Sequence, residues 1–416
     1  MAVPSMVSME TPTEVHALVR RTHKERVLRA LRERGALSRG EIAKIVGLSR
    51  TTVSEITRDL LRRGAIVVVD TDAAVREGSG RPAERLALDP RSAQFMGVDF
   101  GHRRVRVAVA DAAHEIVASG RQRYQEDAGW PERISAAFGL IDRLGDECGV
   151  HFHALQGIGI GVTGPYPRSS APHAPEGAFG PGFAAARDDV DVSFAERFGA
   201  SVIVDNNTRF AALAEAITGG GAVDDLLYVR LSDGVGGALV VGGRLVGGAT
   251  GLAGELGHVT IEPGGPLCRC GKAGCLETVA SVPAIMAACR VRGADVGSLD
   301  ELRSAVERGD PAVEQVLRDA ASALGRVVGM VAMAFNPAEV VIGGEIAHLA
   351  PVIVGQVTAT VATELFPWAA AKPAIRCAQL SDDDGALGAL AALFHSSPLF
   401  AGYPEPAASR ISALPA

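Results

Sequence analysis

Between residues 22 and 63 the apolar positions recur at helical spacing in three successive runs. The first predicts a helix from Thr22 to Glu33 with Val27, Leu28 and Leu31 on one face. The second opens at Ser38, with Glu41 three residues on. This capping box predicts a helix from Arg39 to Val46, with Ile42, Ala43 and Val46 inward. Gly47-Leu48 makes a turn. Ser49 then caps a third helix, Arg50 to Arg63, whose apolar positions are Val53, Ile56, Leu60 and Leu61. After Gly64 the period changes to two, and residues 65–70 and 84–88 read as a strand pair around Gly78-Ser79-Gly80-Arg81-Pro82.

From Phe95 onward short apolar strands alternate with glycine turns. Residues 95–100 and 105–110 form a hairpin around Gly101-His102-Arg103, and 116–124 and 157–163 supply further strands, the latter leading into Gly164-Pro165. A strand at 202–204 ends in Asp205-Asn206-Asn207, ahead of a helix from Arg209 to Ile217. Residues 226–231 and 238–241 flank the turn Asp233-Gly234-Val235-Gly236-Gly237. Val340-Val341-Ile342-Gly343-Gly344 is a strand and turn, and 383–389 open a last helix. The pattern predicts two α/β lobes around a cleft. The most apolar helical run, Ala320 to Phe335, carries Arg326 and is too short to cross a bilayer.

Charge divides the chain. The net charge is −7, yet residues 15–90 hold 16 Lys and Arg against 10 Asp and Glu, while residues 91–416 hold 25 against 36. A basic module on an acidic body points to a polyanionic partner for the first part alone. Helix, short turn and capped helix is the spacing in which the third helix enters a DNA major groove. Its outward residues read as Arg50, Thr51, Thr52, Ser54, Glu55, Thr57 and Arg58. Short hydroxyls and arginine suit base edges and phosphates, so Ser49, Arg50, Thr51, Thr52, Ser54 and Arg58 are the expected contacts to a double-stranded operator. Arg81, at the tip of the strand pair, is the expected minor-groove probe. The competing reading is a three-helix module that binds protein.

Candidate chemistry concentrates between Gly254 and Glu277. Gly-Glu-Leu-Gly-His at 254–258 is followed, after nine residues, by Cys-Arg-Cys-Gly-Lys-Ala-Gly-Cys-Leu-Glu. His258, Cys268, Cys270 and Cys275 are a complete tetrahedral shell for structural Zn²⁺, with no position left for a catalytic water. Glu255 and Glu277 flank these ligands, so a metal there would fix two carboxylates in space. The alternative is unpaired core cysteines, but the other three (Cys148, Cys289 and Cys377) are scattered and these are not. Few cysteines and no basic start followed by an apolar run lead us to expect a reduced, cytoplasmic protein without membrane partners.

These motifs, with the glycine turns, resemble the ROK family of repressors and sugar kinases, a branch of the actin-like ATPase fold. The resemblance spans residues 20 to about 395 and extends to ROK transcriptional regulators that carry an N-terminal winged helix-turn-helix. It implies an α/β fold class, a winged helix-turn-helix followed by a two-lobed actin-like, sugar-kinase-like body. The implied boundaries are a tail at 1–19, a DNA-binding domain at 20–90, a first lobe at 94–205, a second lobe with the zinc site at 206–382, a returning helix at 383–395 and a tail at 396–416. It also implies a sugar in the cleft, bound by Asn206, Glu255, His258 and Glu277. Paired donors and acceptors are what a polyhydroxyl ring requires.

Two departures from the family's kinases stand out. Their first phosphate loop reads Asp-x-Gly-Gly-Thr, and here the same place is Asp99-Phe100-Gly101-His102-Arg103. Their Asn-Asp pair, whose aspartate is the base on the sugar hydroxyl, is here Asn206-Asn207. An amide accepts no proton, although Asn207 retains hydrogen bonds to offer a sugar. The expectation is a transcriptional regulator of carbohydrate metabolism, not an enzyme, sensing a sugar or sugar phosphate. It is expected to hold structural zinc but no nucleotide, and to read DNA as a homodimer or homotetramer. The alternatives are a bifunctional sugar kinase with a DNA-binding head, and a DNA-binding protein whose body only oligomerises.

Overall fold

The computed structural model describes residues 23–24, 26–71, 84–112, 114–125, 128–164, 190–218, 223–367, 372–380 and 384–396. The expected tip at 78–82 with Arg81, Pro165, Asp383 and, apart from Ser396, both expected tails lie outside these residues.

The N-terminal head is built from α1 (residues 26–34), β1 (Leu37–Ser38), α2 (Arg39–Val46), α3 (Arg50–Arg62), β2 (Ile66–Thr71) and β3 (Glu84–Leu88). The Ser38 hydroxyl accepts from Glu41 N while the Glu41 carboxylate accepts from Ser38 N, so the capping box forms as expected. Ser49 caps α3 through Thr52 N at 3.1 Å. Val27, Leu28, Leu31, Ile42, Val53 and Leu60 close one small core beneath an antiparallel sheet of order β1-β3-β2. One residue departs from the expected outward face. Thr57 is fully buried, its hydroxyl donating to Val53 O and accepting from Arg39 Nε. A hydroxyl four residues after Val53 satisfies itself on that residue's carbonyl, which lets it sit at the margin of the apolar stripe.

The first lobe runs through β4 (Phe95–Phe100), β5 (Arg104–Ala110), β6 (Ile116–Arg123), α4 (Trp130–Cys148), β7 (Gly157–Val162), α5 (Val190–Phe198) and β8 (Ser201–Asn206). Its sheet has the order β6-β5-β4-β7-β8, antiparallel through β4 to β6 and parallel through β4, β7 and β8. The second lobe contains α6 (Asn207–Thr218), β9 (Leu226–Leu231), β10 (Val235–Val241), β11 (Arg244–Leu245) and a 3₁₀ turn at Leu256–His258. It continues with α7 (Glu277–Ala280), α8 (Val282–Val291), α9 (Leu299–Glu307), α10 (Pro311–Phe335), β12 (Glu339–Gly343), α11 (Glu345–Leu349), α12 (Val352–Glu364) and β13 (Ala374–Cys377). The order β11-β10-β9-β12-β13, with the same mixture of senses, repeats the plan of the first sheet. Each lobe has its own large core, one around Val98, Ile141 and Ile160, the other around Val229, Leu324 and Ile342.

The last helix, α13 (Asp384–Ser396), returns to the first lobe and packs on α6, β4 and β7. A Cβ at Gly97 would overlap the Ala386 carbonyl, which accounts for a glycine inside β4: the helix backbone lies directly on the strand. The head docks on the same lobe. Arg63 donates to Leu155 O at 3.2 Å, His151 Nε2 lies 3.3 Å from Asp89 Oδ2, and Ala112 and Ala154 join the head's core. Among the described residues no helix is long and apolar enough to cross a membrane.

Candidate ligand cleft and metal cluster

A cleft of about 920 Å³ opens between the lobes. Its floor is the junction of β8 and α6, where the chain passes from strand to helix within Asn206 and Asn207. Asn206 is held from both ends of its amide: Nδ2 donates to Gly164 O at 2.7 Å and Oδ1 accepts from Thr208 N at 2.8 Å. One N–H and one lone pair of that amide remain for a ligand. Asn207 is buried, and its Nδ2 donates to Asp99 Oδ1 at 3.1 Å. Arg106, itself buried, lies 3.6 Å from the other oxygen of the same carboxylate.

Glu255, His258 and Glu277 line the cleft opposite. Burial pushes the Glu255 carboxyl up to about 7, opposed by nearby Arg209 and assisted by the Glu277 charge. Arg209 is itself fixed, donating to Gly251 O at 3.0 Å. Glu277 accepts from Val235 N at 3.1 Å and pairs with Arg269 Nε at 2.8 Å, which ties the β9–β10 turn to the start of α7. Neither arginine was expected from the sequence, although Arg269 stands inside the cysteine motif. Asn206, Asn207, Glu255, His258 and Glu277, the five residues expected at a sugar, thus share one cavity.

The ligand atoms of His258, Cys268, Cys270 and Cys275 lie within 4.8 Å of one another, a group able to hold a metal ion. Cys268 Sγ is 3.6 Å from His258 Nδ1, and Cys270 Sγ is 3.6 Å from Cys275 Sγ. Metal–sulfur bonds of about 2.3 Å in tetrahedral geometry place sulfurs roughly 3.8 Å apart, so the donors already stand near their required spacing. Burial holds the His258 imidazole below its ordinary value, toward the neutral form a ligand needs, and pushes the Cys275 thiol up to about 12. A bound cation would favour the thiolate over this cost of burial. The chain reaches this shape through Gly274, whose φ is +71° and where a Cβ would overlap the Glu262 carbonyl.

At the head, Ser49, Arg50, Thr51 and Arg58 are exposed on α3, and Thr52 and Ser54 are half-buried beside them. They form one side of the helix, away from the core on Val53, Ile56 and Leu60.

Residues 95–396 match the ROK family, and residues 20–67 match a winged helix-turn-helix DNA-binding family. The chain belongs to the ROK family. Among its ROK relatives, the N-acetylglucosamine repressor of Escherichia coli O157:H7 is 27% identical over 361 residues, covering 83% of this chain and 86% of that one. The xylose repressor of Caldicellulosiruptor bescii is 26% identical over 344 residues, 79% and 84% of the two chains. The crystal structure of a ROK hexokinase from Thermus thermophilus superposes with a TM-score of 0.58 at 30% identity, covering 71% of this chain and 96% of that one. A ROK transcriptional regulator described as a homologue of the E. coli MLC protein shares the fold over 90% of this chain and 96% of its own, with a TM-score of 0.64 and 23% identity. The family thus contains both repressors and kinases.

Proposed function

We infer that this protein is a DNA-binding transcriptional regulator of carbohydrate metabolism whose ROK body senses a sugar or sugar phosphate and transfers no phosphoryl group. The observation that carries the reading is the cleft floor. Asn206, Glu255, His258 and Glu277 line one cavity, while the position that corresponds by resemblance to the base of the family's kinases is Asn207, a buried amide bonded to Asp99. Removing a general base lowers a rate by roughly 10²–10⁴, whereas an amide still orients a hydroxyl. The repressors among its relatives, named for xylose and N-acetylglucosamine, support a carbohydrate effector. The likeness to a hexokinase favours a second reading, a kinase with a DNA-binding head, and Asn207 weighs against it.

His258, Cys268, Cys270 and Cys275 would hold the structural zinc, which when bound deprotonates the thiols and locks the segment between Gly254 and Glu277. The chain's own residues do the rest. Arg269 and the Val235 amide orient Glu277, Arg209 steadies Glu255, and the backbone around Gly164 orients Asn206. Ser49, Arg50, Thr51, Thr52, Ser54 and Arg58 are the proposed operator contacts, with Arg81 at the wing. Two heads of a homodimer or homotetramer would read a two-fold operator, and sugar-driven lobe closure would alter their spacing.

The test is a fluorescence-anisotropy titration of the protein against the DNA upstream of its own gene, repeated with hexoses, N-acetylhexosamines, pentoses and their phosphates. One sugar changing the affinity is expected. Tight DNA binding indifferent to every sugar would refute the sensor reading, and sugar-dependent ATP consumption in a parallel assay would restore the kinase.

A further inference from the structure

Helix α3 is fastened to the body at the end away from its proposed DNA contacts. Those contacts run from Ser49 to Arg58, whereas Arg63 caps the C-terminus of α3, roughly two and a half turns beyond Ser54. The Arg63 guanidinium reaches off the head altogether. Its Nε donates to His153 O at 3.4 Å and its Nη2 to Leu155 O at 3.2 Å, both in the first lobe. Beside it Gly64, at φ +72°, lies so close to the His151 ring that a Cβ there would stand 2.8 Å from Cε1. The ring is held in turn by Asp89 at 3.3 Å, and Asp89 N donates to Ala65 O at 3.1 Å. One short loop of the body, 151–155, receives the end of the helix, and Ala154 of that loop is buried in the head's core.

That loop stands on the centre of the first lobe. Leu155 is 1% exposed in the lobe's core, and Gln156 bonds Gln94 through both its backbone at 2.8 Å and its side chain at 2.7 Å. The next residue begins β7, which pairs along its whole length with β4 on one side and β8 on the other. The strand runs about 20 Å toward the cleft, where Gly164 O accepts from the Asn206 amide. A planar fork on two carbonyls sets direction as well as distance, which a single point charge does not. The core around Val27, Ile42 and Leu60 lies within the head, so the fork is not what folds α3. What it sets is the angle of the helix to the body.

We propose that Arg63 is a positioning residue: by clamping the end of α3 to the foot of β7 it registers the helix to the body, so that the protein selects operators by the spacing of their half-sites. The proposal rests on the reading of this protein as a two-headed DNA-binding regulator. The physical gain is effective concentration. When two heads are joined through rigid bodies, the second half-site meets a helix already in place at one spacing, and that spacing alone takes the full benefit. A head that swings spreads the same benefit over several spacings. In this role Arg63 meets no DNA and acts only through α3.

The experiment uses the full-length, zinc-loaded protein and the duplex it protects when footprinted on the DNA upstream of its own gene. Anisotropy titrations compare that duplex with a single half-site and with duplexes whose spacer is one or two base pairs longer or shorter. Wild type is expected to lose at least ~10-fold in affinity when the spacing changes. Arg63→Gln and His151→Ala should each bind the single half-site as wild type does, bind the native duplex at least ~5-fold more weakly and lose most of the preference for its spacing. Arg63→Lys, whose ammonium reaches one carbonyl, should restore part of that preference. Hydrogen exchange in Arg63→Gln should quicken at 61–66 and 151–156 and stay unchanged at 39–48, where the head keeps its fold. Weaker binding of Arg63→Gln to the single half-site, with its spacing preference intact, would make Arg63 a phosphate contact and overturn the positioning role. Wild-type spacing preference in both variants would overturn it as well and leave the DNA-binding reading standing. Absence of any footprint overturns both.

Discussion

The His114 imidazole stacks on Phe394, with ring centroids 3.9 Å apart and planes 14° from parallel, while its Nε2 lies 3.4 Å from Arg32 Nη1. Three separate parts of the molecule meet in that contact. Arg32 belongs to α1 of the head, His114 to the turn between β5 and β6, and Phe394 to α13. The same helix begins beside the cleft floor, since a Cβ at Gly385 would overlap the Asp99 carboxylate, and Asp99 is the acceptor of Asn207. One rigid element therefore runs from the cleft to the head's joint, about 20 Å for 13 residues of helix.

Phe394→Ala should loosen the joint without touching either end. Truncation of this half-buried ring is expected to lower unfolding free energy by about 1–3 kcal/mol, less than a fully buried Phe→Ala. Affinity for operator DNA should survive while its response to effector shrinks. Denaturant unfolding and effector-dependent anisotropy check the two halves separately. A full effector response in the variant would remove α13 from the coupling route.

Acid should act on the same joint. Burial, and secondarily Arg32, depress the His114 pKa from 6.5 to about 3. The folded state thus binds fewer protons than the unfolded state between those values. The stability this residue contributes is present above pH 6.5 and lost as pH falls toward about 3. Asn replaces the imidazole and tolerates the positive φ of 65°. His114→Asn should therefore flatten the acid limb of the stability–pH curve, and an unaltered limb would assign the acid sensitivity elsewhere.

Cys270→Ser removes one of the four donors clustered with His258. Purified wild-type protein is expected to carry about one zinc per chain, and the variant well below half, read by atomic emission. Because the metal spans Gly254 to Glu277, the melting temperature should fall with the zinc, and a chelator should reproduce that fall in the wild type. Equal metal content in both proteins would break the assignment.

Arg58 is exposed near the middle of α3, one turn beyond Ser54. Arg58→Ala is expected to weaken operator binding by about 1–3 kcal/mol if it reads a base. If it meets phosphate, the loss should be similar on every sequence and the salt slope should drop by about one. Unaltered affinity at matched salt would take Arg58 out of the interface. Thr57→Val, by contrast, should leave DNA affinity unchanged, because that hydroxyl is spent inside the head.

What the sequence disclosed was mostly local. The capping box at Ser38 and Glu41 is four residues long, and its geometry formed as read. The metal donors fall within one short segment, so their gathering needs only turns at Gly271 and Gly274. Periodicity marked most of the strands, but not that the two sheets share one order, because pairing such as β9 with β12 joins residues more than a hundred apart. The partners of the site residues were hidden for the same reason. Asn207 with Asp99, Arg104 with Glu345 and Arg32 with His114 are neighbours only after the lobes and head assemble. Thr57 was misplaced because a hydroxyl at the edge of a helical stripe is polar by composition and buried by geometry.

A second pH dependence is expected on the alkaline side, at His348. Its Nδ1 lies 3.1 Å from Gly344 O and its Nε2 3.0 Å from Ala378 O, so both ring nitrogens face carbonyl acceptors. Only the doubly protonated ring donates to both. Hydrogen bonding to Cys377 and to these carbonyls, against the cost of burial, raises its pKa from 6.5 to about 9. The folded state binds the extra proton across that interval. Its contribution is therefore full below pH 6.5 and lost as pH rises through about 9. Since His348 lies on α11, whose first residue is Glu345, deprotonation should also loosen the Glu345–Arg104 pair at the cleft. His348→Gln, which offers a single donor group, should lower stability at pH 6 and abolish the decline between pH 7 and 9. Urea unfolding at four pH values measures this directly, and parallel curves for the two proteins would show that the proton on His348 does not hold the helix.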